Sequence, residues 1–147
     1  RMVLMHDEVL MRVLGSLRAD SRKSAAAIAR DLGLATSTVA GKIQALEKRG
    51  IVHRHTSLLD HGSLGLPFRS FIYGKHEGKE SLLEGLRDLS CVNNAFSLQG
   101  RQFALEVFLP SLNGEQELLE SLQERGLRVD AVRRVVDTHL QEGWTPR

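Results

Sequence analysis

The 147-residue sequence contains one cysteine, Cys91, which excludes an internal disulfide framework and any multi-cysteine metal site. Its apolar runs are too short to span a membrane, and no secretory signal pattern opens the chain. These absences predict a cytoplasmic protein with no membrane partner, in a reducing environment. The single thiol fits a small buried apolar residue better than a nucleophile.

Aromatic residues are few and confined to one part of the chain. No Phe, Tyr or Trp precedes Phe68, and all seven lie from that position onward. Charge divides near the same place, since residues 1–56 hold 10 Lys and Arg against 5 Asp and Glu, while residues 57–147 hold 10 against 13. We therefore predict two domains with different cores, of which the basic first domain meets a polyanion.

The stretch from Ser24 to Gly50 has the pattern of two helices joined by a tight turn. Ser24 can cap the first helix, which ends before Gly33 because a left-handed glycine commonly closes a helix. Thr36 or Ser37 is placed to cap the second helix, whose outer face is polar. This pattern is typical of a helix-turn-helix, in which the second helix enters the DNA major groove. A plain helical hairpin inside an unrelated core is the alternative.

The segments on either side fit a winged form of this motif. Residues 7–19 are predicted to form a preceding helix capped by Asp7, and an extended segment begins at Ile51, directly after the second helix. We assign residues 1–56 to a winged helix-turn-helix domain. The turn-rich residues 57–65 are predicted to form a hinge.

From Leu66 the periodicity changes to short strands alternating with amphipathic helices. The order βαββαβ predicts a ferredoxin-like (ACT-like/RAM) domain over residues 66–147, with two helices on one face of a four-stranded antiparallel sheet. The whole chain is therefore predicted to be α+β. Aromatic residues on the bare sheet face would favour pairing with a second copy. The predicted strands and helices cover residues 66–77, 78–89, 91–99, 102–110, 115–126 and 127–140.

This organisation resembles the Lrp/AsnC, or feast/famine, family of transcription regulators over essentially the whole chain. Its most specific motif is Thr-Ser-Leu-Leu-Asp at residues 56–60, followed by Leu64 and Gly65 in the family's wing-to-hinge pattern. The run from Ile28 to Leu34 and the Gly-Ile-Val at residues 50–52 also fit. The resemblance implies a sequence-specific regulator of double-stranded DNA, and neither an enzyme nor a cofactor. It further implies a homodimer, which in the family often assembles into tetramers or octamers.

The resemblance also implies a site for a small-molecule effector. In the family such effectors, commonly amino acids, bind between subunits near the turn that links the second and third strands, where Gly is followed by an aromatic residue and Asp. Here Gly100 is present, but Gln102 and Phe103 occupy the other two positions. The implied effector site is Gly100, Arg101, Gln102 and Phe103. Because the Asp is missing, an orphan or differently tuned site is the alternative to an amino-acid site.

Two sets of side chains are candidates for contact with DNA. Bases are read by side chains of the recognition helix, and phosphates are held by nearby cations. Gln44 has the amide needed to bond an adenine through two hydrogen bonds. The base-reading candidates are Ser37, Thr38, Lys42 and Gln44, and the phosphate candidates are Arg22, Lys23, Lys48, Arg49 and Arg54.

Other functions have weaker support in the sequence. His53 and His55 alternate in the extended segment, and His61 follows a few residues later. The only acid near these three histidines is Asp60, and no Cys is near, so no metal site is predicted. An enzyme of the siroheme decarboxylase type would need a cofactor cleft lined with His, Tyr and Arg, and residues 95–108 lack that His- and Tyr-rich character. Small residues on the recognition helix leave a third reading, a ligand-sensing module with weakened DNA binding.

Overall fold

A computed structural model describes residues 7–146 of the chain. Of these, the residues up to Leu58 and those from Leu140 onward form a first compact unit, and Leu59–His139 form a second. The carboxy-terminal end therefore lies with the first unit, whereas the sequence assigned it to the second domain. The physical reason is that Arg18 holds it by hydrogen bonds. Among the helices of residues 7–146, none has the length and apolar character that crossing a bilayer requires.

Three helices make up most of the first unit: α1 spans Glu8–Ala19, α2 spans Ala25–Leu32 and α3 spans Thr36–Lys48. The Asp7 carboxylate accepts a hydrogen bond from the Leu10 amide, and the Ser24 hydroxyl oxygen accepts one from the Ala27 amide. Both predicted helix caps are thereby confirmed. Gly33 ends α2 with a left-handed φ of 68°, also as predicted.

The start of α3 differs from the prediction. Its N-cap residue is Ala35, which makes no side-chain hydrogen bond to the helix, and Thr36 is the first helical residue. The predicted cap at Thr36 or Ser37 is therefore wrong. The hydroxyl groups of these two residues lie instead on exposed positions of the first turn.

The strand predicted directly after α3 is absent from the described structure. The amides of Ile51 and Val52 both donate to the Leu46 carbonyl oxygen, at 2.9 and 3.2 Å, so these residues close the end of α3. Residues 53–58 are exposed and irregular. A strand needs a partner for its backbone N–H and C=O groups, and the described residues of the first unit form none.

The core of the first unit fixes which face of α3 turns outward. Val39 is fully buried and Leu46 is 1% exposed, so one stripe of α3 packs inward against the other two helices. The opposite stripe is left on the surface. The buried cluster consists of Leu10, Val13, Leu17, Ile28, Ala29, Val39 and Leu46.

The second unit contains β1 (Phe68–Lys75), α4 (Ser81–Glu84), β2 (Val92–Leu98), β3 (Gln102–Leu109), α5 (Leu112–Glu124) and β4 (Arg128–Arg134). Its strands form one antiparallel sheet in the order β2-β3-β1-β4, which confirms the βαββαβ arrangement and the α+β class. The helix predicted over residues 78–89 is shorter than expected. It changes to a 3₁₀ turn at Gly85, because glycine weakens the interior of a helix.

One face of this sheet carries the second core. In β3 the side chains of Phe103, Leu105 and Val107 are fully buried and alternate with those of the other face. The helices cover them with Leu86, Leu118 and Leu122, among others. Cys91 is half-buried against the same cluster, and burial raises the pKa of its thiol, which suits a packing role.

Candidate nucleic-acid interface

The exposed stripe of α3 contains two of the four predicted base readers. Ser37, Thr38 and Gln44 are all exposed, and Ser37 and Gln44 lie on the stripe that faces away from Val39 and Leu46. Gly41 lies between them, and a Cβ placed on it would have no atom within 4 Å. This stripe is therefore polar, free of bulky side chains and open to close approach by another molecule.

Lys42 does not belong to this open stripe. Its Nζ donates to Asp7 Oδ2 at 2.6 Å, and both side chains are about one-third exposed. The hydrogen bond from Lys42, followed by that from the Leu10 amide, lowers the pKa of Asp7. Lys42 thus links α3 to the cap of α1, and the prediction that it reads bases conflicts with this structural use of its ammonium group.

Two of the predicted phosphate contacts also have acidic partners. Lys23 Nζ lies 2.8 Å from Asp31 Oδ2, and this hydrogen bond raises the pKa of Lys23 and lowers that of Asp31. Arg22 Nε lies 3.5 Å from Asp20 Oδ1, but the Arg22 side chain remains 90% exposed. The ammonium group of Lys23 is therefore paired with Asp31, whereas the guanidinium group of Arg22 can still reach an external anion.

The other predicted phosphate contacts are unpaired. Lys48, Arg49 and Arg54 are exposed, and none of them forms an ion pair within residues 7–146. Lys48 continues the stripe of Ser37 and Gln44 by one further helical turn. Cations without acidic partners can displace counterions from a nucleic acid without first breaking an internal contact.

The histidines after α3 show no metal-ligand arrangement. His53 and His55 are exposed, and His55 Nε2 lies 3.5 Å from Glu47 Oε1. His61 belongs to the second unit, where its ring stacks on Phe108 with a centroid distance of 3.5 Å. Across the residues that the structure describes, no group of three or more His, Cys, Asp or Glu side chains is placed to hold a metal ion.

The predicted effector turn joins β2 to β3. Gly100 and Arg101 both have left-handed backbone conformations, with φ of 75° and 57°, and the His76 amide donates to the Arg101 carbonyl oxygen at 3.0 Å. Gly100, Arg101 and Gln102 are exposed. Phe103 is fully buried beneath Gly74, so its inclusion in the effector site is wrong: its position in β3 directs the side chain into the core.

The sheet face opposite the core carries a buried acid. Glu106 is 5% exposed and accepts hydrogen bonds from Arg69, Asn93 and Asn94. Burial acts to raise the pKa of Glu106, but these hydrogen bonds and the Arg69 charge outweigh it, so the pKa lies below its ordinary value. Next to this cluster, the registers of β1, β3 and β2 align Tyr73, Ala104 and Phe96 in one row. Phe96 and Tyr73 are 51% and 40% exposed.

Comparison with known proteins supports this reading of the two units. A family model described as a winged helix-turn-helix DNA-binding domain matches residues 6–53. Uncharacterized HTH-type transcriptional regulators of Pyrococcus abyssi and Pyrococcus horikoshii are 32% and 34% identical to the chain over 76 and 74 residues. These matches cover 52% and 50% of the chain, and 52% and 50% of the two relatives. The chain thus matches about half the length of these curated relatives.

Solved structures match nearly the whole chain. The Mycobacterium tuberculosis leucine response regulatory protein LrpA superposes with a TM-score of 0.82 at 18% identity, covering 96% of this chain and 99% of that one. Escherichia coli AsnC superposes with a TM-score of 0.74 at 19% identity, covering 92% and 95%. The chain has the Lrp/AsnC fold. The resemblance read from the sequence is confirmed at this level, and the amino-terminal unit is a winged helix-turn-helix domain.

Within the Lrp/AsnC fold, one exposed cation near α3 was absent from the sequence-based candidates. Arg30 lies in the last turn of α2, the first helix of the helix-turn-helix, and forms no ion pair within residues 7–146. It could have been found from the sequence, because Ile28 and Ala29 are the buried positions beside it and Arg30 must then face outward. Arg30 therefore joins Arg22, Lys48, Arg49 and Arg54 as an available cation.

Proposed function

We propose that this Lrp/AsnC-type chain is a transcription regulator that binds double-stranded DNA in a sequence-specific manner through α3. The observation that carries the proposal is the exposed polar stripe of α3, set within a domain that matches a winged helix-turn-helix DNA-binding model. Lys48 extends this stripe, and Arg49 follows at the end of the helix. A polar recognition surface flanked by unpaired cations suits DNA better than it suits an apolar partner.

Base reading is assigned to the exposed side chains of α3. Ser37 and Thr38 lie in its first turn, the part of a recognition helix that reaches deepest into the major groove. Gln44 lies two turns further along, and an amide at this place can bond an adenine through two hydrogen bonds, worth about 1–3 kcal/mol of discrimination. Because Gly41 has no side chain, the helix can approach the groove closely at this point.

Phosphate contacts are assigned to the cations that have no acidic partner. Lys48 and Arg49 end the recognition helix, Arg54 lies in the irregular segment that follows, and Arg30 ends α2. Arg22 can join them because its side chain is almost fully exposed. Such contacts supply most of the affinity for DNA and make it dependent on salt.

We further propose that the chain acts as a homodimer, assembled through the bare sheet face. This face exposes Tyr73, Phe96 and Leu98, which is unusual for an isolated domain, and it surrounds the Glu106 cluster with apolar area. Face-to-face pairing would place two recognition units about a twofold axis, so we expect half-sites about one helical turn apart or a multiple of that. Tetramers and octamers are built from the same dimer in this proposal.

Phe96→Asp tests the dimer directly. Light scattering should give a dimer or larger assembly for the unmodified chain and a monomer for the variant, because a charge at this point of the apolar face opposes burial. The control is Leu112→Asp, which alters another exposed leucine at the start of α5. A monomeric unmodified chain, or a variant that assembles normally, would rule out this interface.

We also propose that a small effector binds at the turn formed by Gly100, Arg101 and Gln102. In support, a Neisseria meningitidis transcriptional regulator with 21% identity and a TM-score of 0.76, and a feast or famine regulatory protein of M. tuberculosis, were solved with L-methionine. In this chain the buried Phe103 replaces the acid of the family pattern. We therefore expect Arg101 to select a carboxylate and expect little selection for an amino group. Calorimetric titration with matched amino and des-amino acids would measure the difference.

The regulator proposal is tested by selecting bound DNA from a random pool with the purified 147-residue chain. Enrichment of a two-part motif is expected, and the selected duplex should bind less tightly as salt rises, because counterions are released on binding. Failure to enrich any sequence, or affinity that does not change with salt, would contradict the proposal. We place this activity in the cytoplasm, in line with the absence of a disulfide framework.

A further inference from the structure

The carboxy-terminal segment Leu140–Pro146, here called the tail, lies in the first unit although it follows the second unit in sequence. It therefore belongs to the same compact unit as the helices that we assign to DNA binding. None of the sequence motifs accounts for this placement. The contacts below give its physical basis.

The anchor of the tail is Arg18, in the last turn of α1. Its Nη2 donates to the Glu142 carbonyl oxygen at 2.9 Å and to the Trp144 carbonyl oxygen at 3.2 Å. Its Nε also donates to the Trp144 carbonyl oxygen at 3.3 Å, and the Glu142 carboxylate lies 3.4 Å from Nη2. A planar guanidinium with several donors is well suited to fix a short irregular segment in this way.

Two further observations indicate that the tail has a defined conformation on α1. Glu142 has a φ of 50°, a left-handed conformation that residues other than glycine adopt only when their surroundings impose it. A Cβ placed on Gly15 would lie 3.6 Å from Pro146 Cγ, so the end of the tail is in contact with α1 one turn before Arg18. The tail is therefore held at two points along the helix.

The tail also borders cations that we assign to DNA. Glu142 lines a groove of about 640 Å³ whose walls include Arg22 and Arg54, together with His53 and His55. Arg22 and Arg54 are two of the proposed phosphate contacts. A phosphate that enters this groove meets the negative charge of Glu142 as well as the two guanidinium groups.

From these contacts we infer that the tail is an intramolecular competitor of DNA, anchored on α1 by Arg18 and acting through the carboxylate of Glu142. This inference rests on the proposed function. While the tail is docked, Glu142 weakens phosphate binding at Arg22 and Arg54. Release of the tail removes this acidic charge from the groove, so the docked tail lowers DNA affinity.

Docking is tested without DNA, because Trp144 is the only tryptophan of the chain and lies in the tail. In protein labelled with ¹⁵N only at tryptophan, its backbone amide gives a single resonance, whose ¹H–¹⁵N nuclear Overhauser effect reports fast motion. Because Arg18 holds the Trp144 backbone carbonyl, we expect the value of an ordered backbone in the unmodified protein and a clear drop towards zero in Arg18→Gln. The control Arg30→Gln removes another exposed arginine of the same unit and should leave the value unchanged. Equal values for all three proteins would overturn the docking.

Competition is tested on a selected DNA duplex with Glu142→Gln, which leaves the Arg18 contacts to the Glu142 and Trp144 carbonyl oxygens in place and removes the charge of the side chain. We expect DNA binding about 2–5-fold tighter, the size of a single carboxylate charge acting across a hydrated groove. Glu124→Gln removes an equal charge from the end of α5 and should bind like the unmodified chain. Unchanged affinity of Glu142→Gln would overturn the competition. If no protein binds any DNA, the proposed function fails, and the competitor role is overturned with it, while the resonance experiment still decides docking.

Discussion

The Glu106 cluster offers a sharp test of how the second unit is held together. Replacing Glu106 by Gln retains the size of the side chain and removes its charge. Arg69 donates to one carboxylate oxygen, and Asn93 and Asn94 donate to the other. Whichever way the glutamine amide is turned, its NH₂ group replaces a carboxylate oxygen that accepted hydrogen bonds. That NH₂ group then faces the donors of Arg69 or those of the two asparagines. The variant should therefore destabilise the unit.

The size of the effect follows from the contacts. Removing one partner of a buried ion pair costs about 3–5 kcal/mol when the remaining charge has no other partner. Here the Arg69 side chain is 23% exposed and water can reach it, and an asparagine amide can rotate to accept from the new glutamine. Both adjustments reduce the loss, so we expect the free energy of unfolding to fall by about 2 kcal/mol.

The pH dependence gives the second half of this test. Since the pKa of Glu106 in the folded chain lies below its ordinary value of 4.5, the charged form stabilises the fold. That contribution is complete above the unfolded pKa and is lost as pH falls through the lowered folded pKa. The difference between the unmodified chain and Glu106→Gln should therefore be constant near neutral pH and shrink below about pH 4.5.

Urea unfolding measures both effects. Tyr73 is the only tyrosine and lies in β1 of the second unit, so its fluorescence follows that unit. A loss of about 2 kcal/mol should move the Tyr73 midpoint by about 1–2 M urea. Protein concentration must be held equal because assembly through this face would add stability. The control is Glu84→Gln, which removes an exposed charge. Equal midpoints for the two variants at pH 7, or a difference that grows in acid, would refute the reasoning.

Four further changes have defined outcomes. Lys42→Met should lower the unfolding free energy of the first unit by about 1 kcal/mol, read from the loss of helical circular dichroism, while the selected DNA motif stays the same. Gln44→Ala should relax base preference at one position by about 1–3 kcal/mol in a competition assay on single-base variants of the site. Lys48→Gln should reduce the salt slope of DNA binding by about 1, whereas Lys23→Gln, already paired with an acid, should change it much less. Gly74→Ala should cost about 1–3 kcal/mol in the Tyr73 midpoint, because the added Cβ would lie 2.0 Å from a backbone carbonyl oxygen.

The features of the fold that could be predicted from the sequence are those that depend on residues close together along the chain. The caps at Asp7 and Ser24 and the left-handed Gly33 depend on contacts within a few residues, and all three were predicted correctly. The order of strands and helices followed from periodicity in the same way. The strand predicted at Ile51 failed because its β-branched side chains matched a strand, but its amides close α3 and no partner strand is described nearby. Strand formation depends on a partner, which a local pattern does not contain.

The candidate site was harder to predict, because each side chain depends on partners distant in sequence. Lys42 has an exposed position on the helical pattern, yet Asp7 holds it from 35 residues away. Phe103 follows the effector turn, but the register of β3 against β1 places it in the core under Gly74. The role of Arg18 required the tail to return to α1, from more than 120 residues away. Residue type and spacing alone do not supply such pairings.

The ion pairs of the first unit show which cations of the amino-terminal part remain available to a partner. Composition gave an excess of cations and predicted a polyanion as partner, without distinguishing one cation from another. In the structure, four of the five acids in residues 1–56 contact basic side chains of the first unit, and two of these contacts engage the ammonium groups of Lys23 and Lys42. The exposed cations outside these two pairs are the ones that we propose to contact DNA, and Glu142 of the tail adds an acid near Arg22 and Arg54. The acidic partners are Asp7, Asp20, Asp31 and Glu47.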